Sequence, residues 1–202
     1  MHTKPKKRLG QNFLIDKNIQ EKIVNSCNLQ ESDIVLEIGP GRGEITQLLL
    51  AKAKKVIAVE IDKELCGLLS SKFSSSRNFK LLNKDILKTN LVNLRGCQGL
   101  GKLKVIANIP YYISTPIIAH LLRYKESIEA IYISLQKELA KRLIACPGSK
   151  AYGAFSCFAQ FYSQPKILFP IKNSSFWPKP KVASSFVELK ILSAPKVKVK
   201  DE

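Results

Sequence analysis

Short apolar runs alternate along the chain with longer stretches in which apolar residues recur every three or four positions. Ile34-Val35-Leu36-Glu37-Ile38 is the first run and Val56-Ile57-Ala58-Val59-Glu60 the second. Phe79 to Leu82 begins a third that leads to Asp85. Lys104 to Ala107 is a fourth, ending at Asn108, and Ala130 to Leu135 is a fifth. Helical patterns lie before and between them. Residues 16–27 carry Ile19, Ile23, Val24 and Cys27 at helical spacing, with Asp16 placed to cap the first turn. Ile45, Leu48 and Leu49 share one face after the first run, and a further helix is predicted over about 63–73. Strands that are apolar throughout are covered on both faces, so this alternation predicts a parallel sheet between two layers of helices.

After residue 150 the pattern changes. Ile167-Leu168-Phe169 and Ser185-Phe186-Val187-Glu188-Leu189 read as two more strands joined by the Pro-rich segment 176–182. That connection has no helix-length stretch, so the two are predicted to pair antiparallel. The predicted fold class is α/β, Rossmann-like, with a mostly parallel seven-stranded sheet and an antiparallel final hairpin. Lys4-Pro5-Lys6-Lys7-Arg8 opens a basic arm over residues 1–15, mobile at its start. Arg95 to Gly101 has three glycines in seven residues and reads as a flexible loop; residues 195–202 read as a frayed, charged tail. One domain over residues 16–194 is left between arm and tail.

Charge adds a partner to this picture. Lys and Arg number 33 against 16 acidic residues, for a net charge of +17. Such an excess favours a polyanion, most commonly nucleic acid. No apolar stretch approaches the ~20 residues that span a bilayer. No basic helix with aromatics on one side marks a membrane surface. Met1 to Gly10 is unlike a secretory signal, so a cytoplasmic location is expected. The five cysteines are scattered without a C-x-x-C, which fits neither a disulfide framework nor a zinc site. With only His2 and His120 present, a His-based metal site or a Ser-His-Asp triad is not expected.

Ligands of open parallel sheets bind beyond the carboxyl ends of the strands. At those ends stand Gly39-Pro40-Gly41-Arg42-Gly43, Glu60, Asp85 and Asn108. Glycines after a strand permit a tight turn and close backbone approach to a ligand. Glu60 lies 21 residues past Gly39, where a carboxylate can bind both hydroxyls of a ribose. The turn is neither the dinucleotide G-x-G-x-x-G nor a phosphate-binding G-K-[ST] loop. A site ringed by Glu37, Glu60 and Asp85 would repel a pyrophosphate. It suits S-adenosylmethionine, which has no phosphate and carries a sulfonium and an ammonium. A class I S-adenosylmethionine-dependent methyltransferase is therefore the expected architecture.

Asn108-Ile109-Pro110-Tyr111 stands beside the expected methyl donor. An asparagine carbonyl and a nearby backbone carbonyl can accept hydrogen bonds from an exocyclic NH2. Proline fixes the local backbone, and tyrosine offers a face for a base. The set suits an adenine amino group, presented by an unpaired or flipped-out base. Phe13 and Phe176 are further candidates to hold that base; ordinary core packing is the competing role for each.

The segments Gly10-Gln11-Asn12-Phe13-Leu14, Glu37-Ile38-Gly39-Pro40-Gly41 and Asn108-Ile109-Pro110-Tyr111 resemble the rRNA adenine dimethyltransferase family. So do Gln136-Lys137-Glu138, Pro147 to Gly153, and Phe176-Trp177-Pro178-Lys179-Pro180-Lys181-Val182 followed by Ser184. The resemblance covers nearly the whole chain and is nearest to the bacterial small-subunit type. It implies N6-dimethylation of two adjacent adenosines near the 3′ end of small-subunit rRNA during ribosome assembly. It also implies a partner, the immature small subunit, and a monomeric enzyme. Asn12, Leu14, Gly39, Glu60, Asp85 and Asn108 match cofactor-contacting positions, and Gly41, Ile61 and Ile86 beside them complete the expected cofactor set. Asn108, Pro110 and Tyr111 match the catalytic motif, and Phe176 matches an aromatic that helps sandwich the target base.

Two departures accompany the match. The family continues past the 182–192 strand into a small helical domain that helps bind rRNA, which this chain is expected to lack. Tyr112 stands where small polar residues are common in the family. Three rival readings compete. A large-subunit adenine methyltransferase of the antibiotic-resistance type shares the motifs, but Pro147 to Gly153 favours the small-subunit type. A non-catalytic RNA-binding assembly factor need not keep Glu60, Asp85 and the Asn108–Tyr111 turn together. A NAD(P) oxidoreductase should show G-x-G-x-x-G.

Overall fold

The computed structural model describes residues 4–94 and 101–194. Residues 95–100 of the expected glycine loop, the tail 195–202 and the first three residues of the arm lie outside the described residues. In chain order the elements are β1 (Phe13–Leu14), α1 (Lys17–Ser26), β2 (Ile34–Ile38), α2 (Glu44–Leu50), β3 (Lys55–Glu60), α3 (Lys63–Lys72) and β4 (Phe79–Asn83). There follow β5 (Leu103–Ala107), α4 (Ser114–Leu122), β6 (Ile128–Gln136), α5 (Lys137–Leu143), α6 (Ala154–Tyr162), β7 (Ser163–Ile171), β8 (Phe176–Trp177) and β9 (Ser184–Ile191).

The main sheet has seven strands in the order β4-β3-β2-β5-β6-β9-β7. β2 through β6 pair in parallel, and β9 runs antiparallel to both β6 and β7. This is the predicted sheet with its antiparallel final hairpin. Alternate residues of each strand serve opposite faces. Ile34, Leu36 and Ile38 of β2 pack with α4, α5 and α6 in one core, whereas Val35 joins α1 and α2 in the other. Chain order reverses across β2: β3 and β4 lie to one side, β5 and β6 to the other. That switch point opens a crevice at the strand carboxyl ends.

Asp16 caps α1 by accepting from the Ile19 N–H at 3.3 Å. β7 is longer than its apolar triplet predicts and contains Pro165 and Pro170. Its place at the sheet edge tolerates residues that cannot donate to a ladder. The β1–β8 pair, with Phe13 opposite Trp177 and Leu14 opposite Phe176, has no counterpart in the hydrophobic pattern. Two-residue strands are too short to show a period. The ribbon ties residues 13–14 to the far end of the chain, and Ile15 N–H reinforces it by donating to Ser175 O at 2.9 Å. Upstream, Lys6 Nζ meets Asp62 Oδ1 at 2.7 Å and Glu64 Oε1 at 3.1 Å. Gln11 Nε2 donates to Asp62 Oδ2 at 3.0 Å. Residues 4–15 thus form a strap fastened at both ends.

Candidate active site

The crevice is a cavity whose walls come from the ends of successive strands. Gly39 and Gly41 follow β2, Glu60 and Ile61 end β3, Asp85 and Ile86 follow β4, and Asn108 and Pro110 follow β5. Asn12, Phe13 and Leu14 of the strap close the remaining side. Ten of the residues singled out in the sequence for cofactor or catalysis therefore share one cavity: Asn12, Leu14, Gly39, Gly41, Glu60, Ile61, Asp85, Ile86, Asn108 and Pro110.

The glycine turn and Glu60 are physically joined. Gly41 N–H donates to Glu60 Oε2 at 3.4 Å, and Asp62 N–H donates to Glu60 Oε1 at 2.9 Å. Burial pushes the Glu60 carboxyl up, and these N–H donors act against it. Gly41 has φ +61°, and a Cβ there would lie 3.2 Å from the Phe13 ring. The turn therefore needs glycine both for its left-handed backbone and for the closeness of the strap. Asp85 accepts from Leu87 N–H at 2.9 Å, which fixes its carboxyl at the start of a single helical turn.

Asp62 anchors the strap while capping α3 through Glu64 N–H at 3.0 Å. Burial pushes its carboxyl up. The hydrogen bonds from Lys6, Gln11 and the Glu64 N–H outweigh that and hold it below the ordinary aspartate value.

Glu37 lines the cavity but is almost fully buried, and accepts from Thr46 Oγ1 at 2.7 Å. Burial pushes its carboxyl up to about 8. Glu37 therefore adds little negative charge to the wall at neutral pH. A folded value above the unfolded one means the unfolded chain releases this proton first as pH rises. The associated stability is present below about 4.5 and is lost as pH climbs towards about 8. Glu37→Gln removes that loss. In urea melts the variant should gain on the wild type steadily across this window; a difference independent of pH would refute the assignment.

Tyr111 and Phe176 are not on the cavity wall. The Tyr111 hydroxyl shares a hydrogen bond with Ser184 Oγ at the start of β9, so its ring is held beside the Asn108 turn. Phe176 is 3% exposed and packs with Phe169 and Phe186 in the core on the α1 side. Its backbone pairs with Leu14, so it supports the strap from behind. In this structure the Phe176 side chain lies in the core. Phe13 combines both roles, being 5% exposed yet part of the cavity lining.

Sequence reasoning assigned no role to Tyr112, which lines the cavity mouth and is 66% exposed. Its ring abuts the strap: a Cβ on Gly10 would lie 3.0 Å from it. Its one signal in the sequence is its position next to the Asn108–Tyr111 motif. The Lys6–Asp62–Gln11 clamp was also missed, because no local pattern links residues so far apart.

The family model for ribosomal RNA adenine dimethylase matches residues 2–202. The chain belongs to that family. It is therefore an S-adenosylmethionine-dependent methyltransferase, and the donor set of the cavity fits this cofactor. Glu60 would offer a carboxylate to ribose hydroxyls, and Gly39 and Gly41 line the cavity beside it. A protein from Alkaliphilus metalliredigens named ribosomal RNA small subunit methyltransferase A is 46% identical over 194 residues, 96% of this chain and 68% of the relative. One of the same name from Caldanaerobacter subterraneus is 43% identical, covering 98% and 74%. Among solved structures, a dimethyladenosine transferase from Plasmodium falciparum superposes with TM-score 0.79 at 31% identity, covering 89% of this chain and 63% of that one. The 23S rRNA methyltransferase ErmE gives TM-score 0.80 at 25% identity, covering 93% and 72%.

Among the described residues, no group of His, Cys, Asp and Glu is placed to hold a metal ion. No helix there is long and apolar enough to cross a membrane.

Proposed function

We propose that this chain transfers methyl groups from S-adenosylmethionine to N6 of two adjacent adenosines near the 3′ end of small-subunit rRNA. One observation carries the reading: the Asn108–Pro110 turn shares a cavity wall with the Glu60–Asp85 cofactor set. The names of the most similar relatives support the small subunit as substrate.

The bound cofactor supplies an electrophilic methyl group. The chain's own residues do the orienting. Asn12, Leu14, Gly39, Gly41, Glu60, Ile61, Asp85 and Ile86 hold the donor. The Asn108 side-chain carbonyl and a backbone carbonyl of the turn accept hydrogen bonds from the adenine amino group, aiming its nitrogen at the methyl carbon. Pro110 fixes the turn, and Tyr111, tethered to Ser184, holds the turn against β9. Alignment of the two held groups carries the reaction; the carbon–sulfur bond breaks, leaving S-adenosylhomocysteine, and the extra proton of the methylated nitrogen passes to water. On this reading residues 16–194 are the catalytic domain, flanked by the arm 1–15 and the tail 195–202. The chain works as a cytoplasmic monomer on immature small subunits.

The test is methyl transfer to under-methylated small subunits and, separately, to large-subunit rRNA, with mapping of the modified base. Dimethyladenosine in small-subunit rRNA is expected. Label only in large-subunit rRNA would overturn the substrate. RNA affinity should also fall log-linearly with salt, because Lys and Arg contacts release counterions. With ~6 phosphate contacts, the loss between 50 and 200 mM is roughly a hundred- to thousand-fold. A flat response would exclude a backbone-dominated interface.

A further inference from the structure

The β1–β8 ribbon carries a column of side chains from the cavity wall to the surface. Phe13 lines the cavity. Arg42, from the glycine turn, lies over the Phe13 ring at 4.4 Å and over the Trp177 ring at 5.4 Å from the centroid. Phe13 and Trp177 are direct cross-strand partners. Trp177 is 45% exposed, whereas its neighbour Phe176 is buried. The ribbon therefore already has an inward aromatic, and the indole on its other face is not needed to fill the core. Lys179 and Lys181 follow, both exposed.

An exposed indole backed by a guanidinium and flanked by lysines matches what single-stranded nucleic acid requires. Every base has a face that stacks on an aromatic ring, and the cations meet the phosphates. We propose that Trp177, backed by Arg42, is a stacking platform for an unpaired nucleobase, seating a nucleotide beside the target adenosine. This rests on reading the cavity as an RNA methylation site. The platform is a positioning element: it touches neither the cofactor nor the reacting nitrogen.

The chain has one tryptophan, so indole fluorescence reports this position alone. The full chain, saturated with S-adenosylhomocysteine, would be titrated with single-stranded oligoadenylate and with a fragment of small-subunit rRNA. Saturable quenching is expected, with the same midpoint as RNA binding measured by anisotropy. RNA that binds without changing the emission, or no RNA binding even at low salt, overturns the proposal. Trp177→Ala should weaken RNA binding about tenfold, while Trp177→Phe retains most of the affinity. S-adenosylhomocysteine affinity should match wild type in both. Equal losses in the two variants, or a parallel loss of S-adenosylhomocysteine binding, would make the ring a packing element and refute the platform. The readout needs no turnover. Quenching without methylation would sink the proposed reaction and leave the platform standing; methylation without quenching would do the reverse.

Discussion

Asn108→Ala is expected to reduce methyl transfer by at least about tenfold while leaving S-adenosylhomocysteine binding largely intact. The residue stands at the carboxyl end of β5, half-buried, on the wall shared by the cofactor set and the Pro110 turn. Its amide is the one side-chain acceptor of the motif that can meet an amino group there. Removing a single preorganised polar group from a reaction centre typically costs about a hundred- to thousand-fold in rate. On the proposed reading the cofactor would be held by many more groups, from Gly39 to Ile86 along three strand ends and from Asn12 and Leu14 on the strap, all of which line the same cavity. The predicted signature is thus a rate defect at saturating cofactor. Single-turnover methylation of small-subunit rRNA, with calorimetric titration of S-adenosylhomocysteine, measures both halves. An unimpaired rate would remove Asn108 from the mechanism. A proportional loss of S-adenosylhomocysteine affinity would make it a cofactor ligand and nothing more.

Gly43→Ala should be the most damaging small substitution for stability. Gly43 has φ +81°, and a Cβ there would lie 2.7 Å from Phe73 Cε2 and 2.8 Å from Leu69 Cδ2. Both neighbours are buried, so neither can swing aside into solvent. A left-handed alanine costs about 1–2 kcal/mol, and overpacking a filled core adds about 1–3 kcal/mol. Together that is roughly 2–5 kcal/mol, a large part of a typical total of about 5–15 kcal/mol. Gly148 separates the two contributions. Its φ of +84° is just as strained for alanine, but nothing lies within 4 Å of an added Cβ. Gly148→Ala should therefore cost about 1–2 kcal/mol. Denaturant melts of the two variants decide the matter; equal losses would mean that the Phe73 and Leu69 contacts carry no energy.

That the strand-end residues Gly39, Glu60, Asp85 and Asn108 share one crevice was legible in the sequence, whereas Asn12 and Leu14 rested on the family resemblance alone. The first group stands at the ends of apolar strands, and strand ends follow from the pattern of runs. Glu60 and Asp85 could be placed in one crevice because parallel α/β topology leaves little choice of where they go. The helix cap at Asp16 is equally local. Glu37 was placed correctly but its charge was not, because burial and not position sets its proton affinity.

The aromatics needed the folded chain. The motif around Phe176 and Trp177 names two rings without saying which faces inward, since a Pro-rich segment has no period to read. The orientation is decided by a strand pair between Leu14 and Phe176 and by a hydrogen bond from Ser175 to Asp16, at opposite ends of the sequence. The same holds for Tyr112, whose ring is set by Gly10, and for Lys6, whose charge is anchored by Asp62. Runs of apolar residues and glycines at strand ends act over a few positions, so the amino-acid order was enough for the sheet, the cofactor and the reaction class. Which aromatics of the ribbon face outward depends on contacts between residues more than a hundred positions apart, and those exist only once the two cores have closed around the sheet.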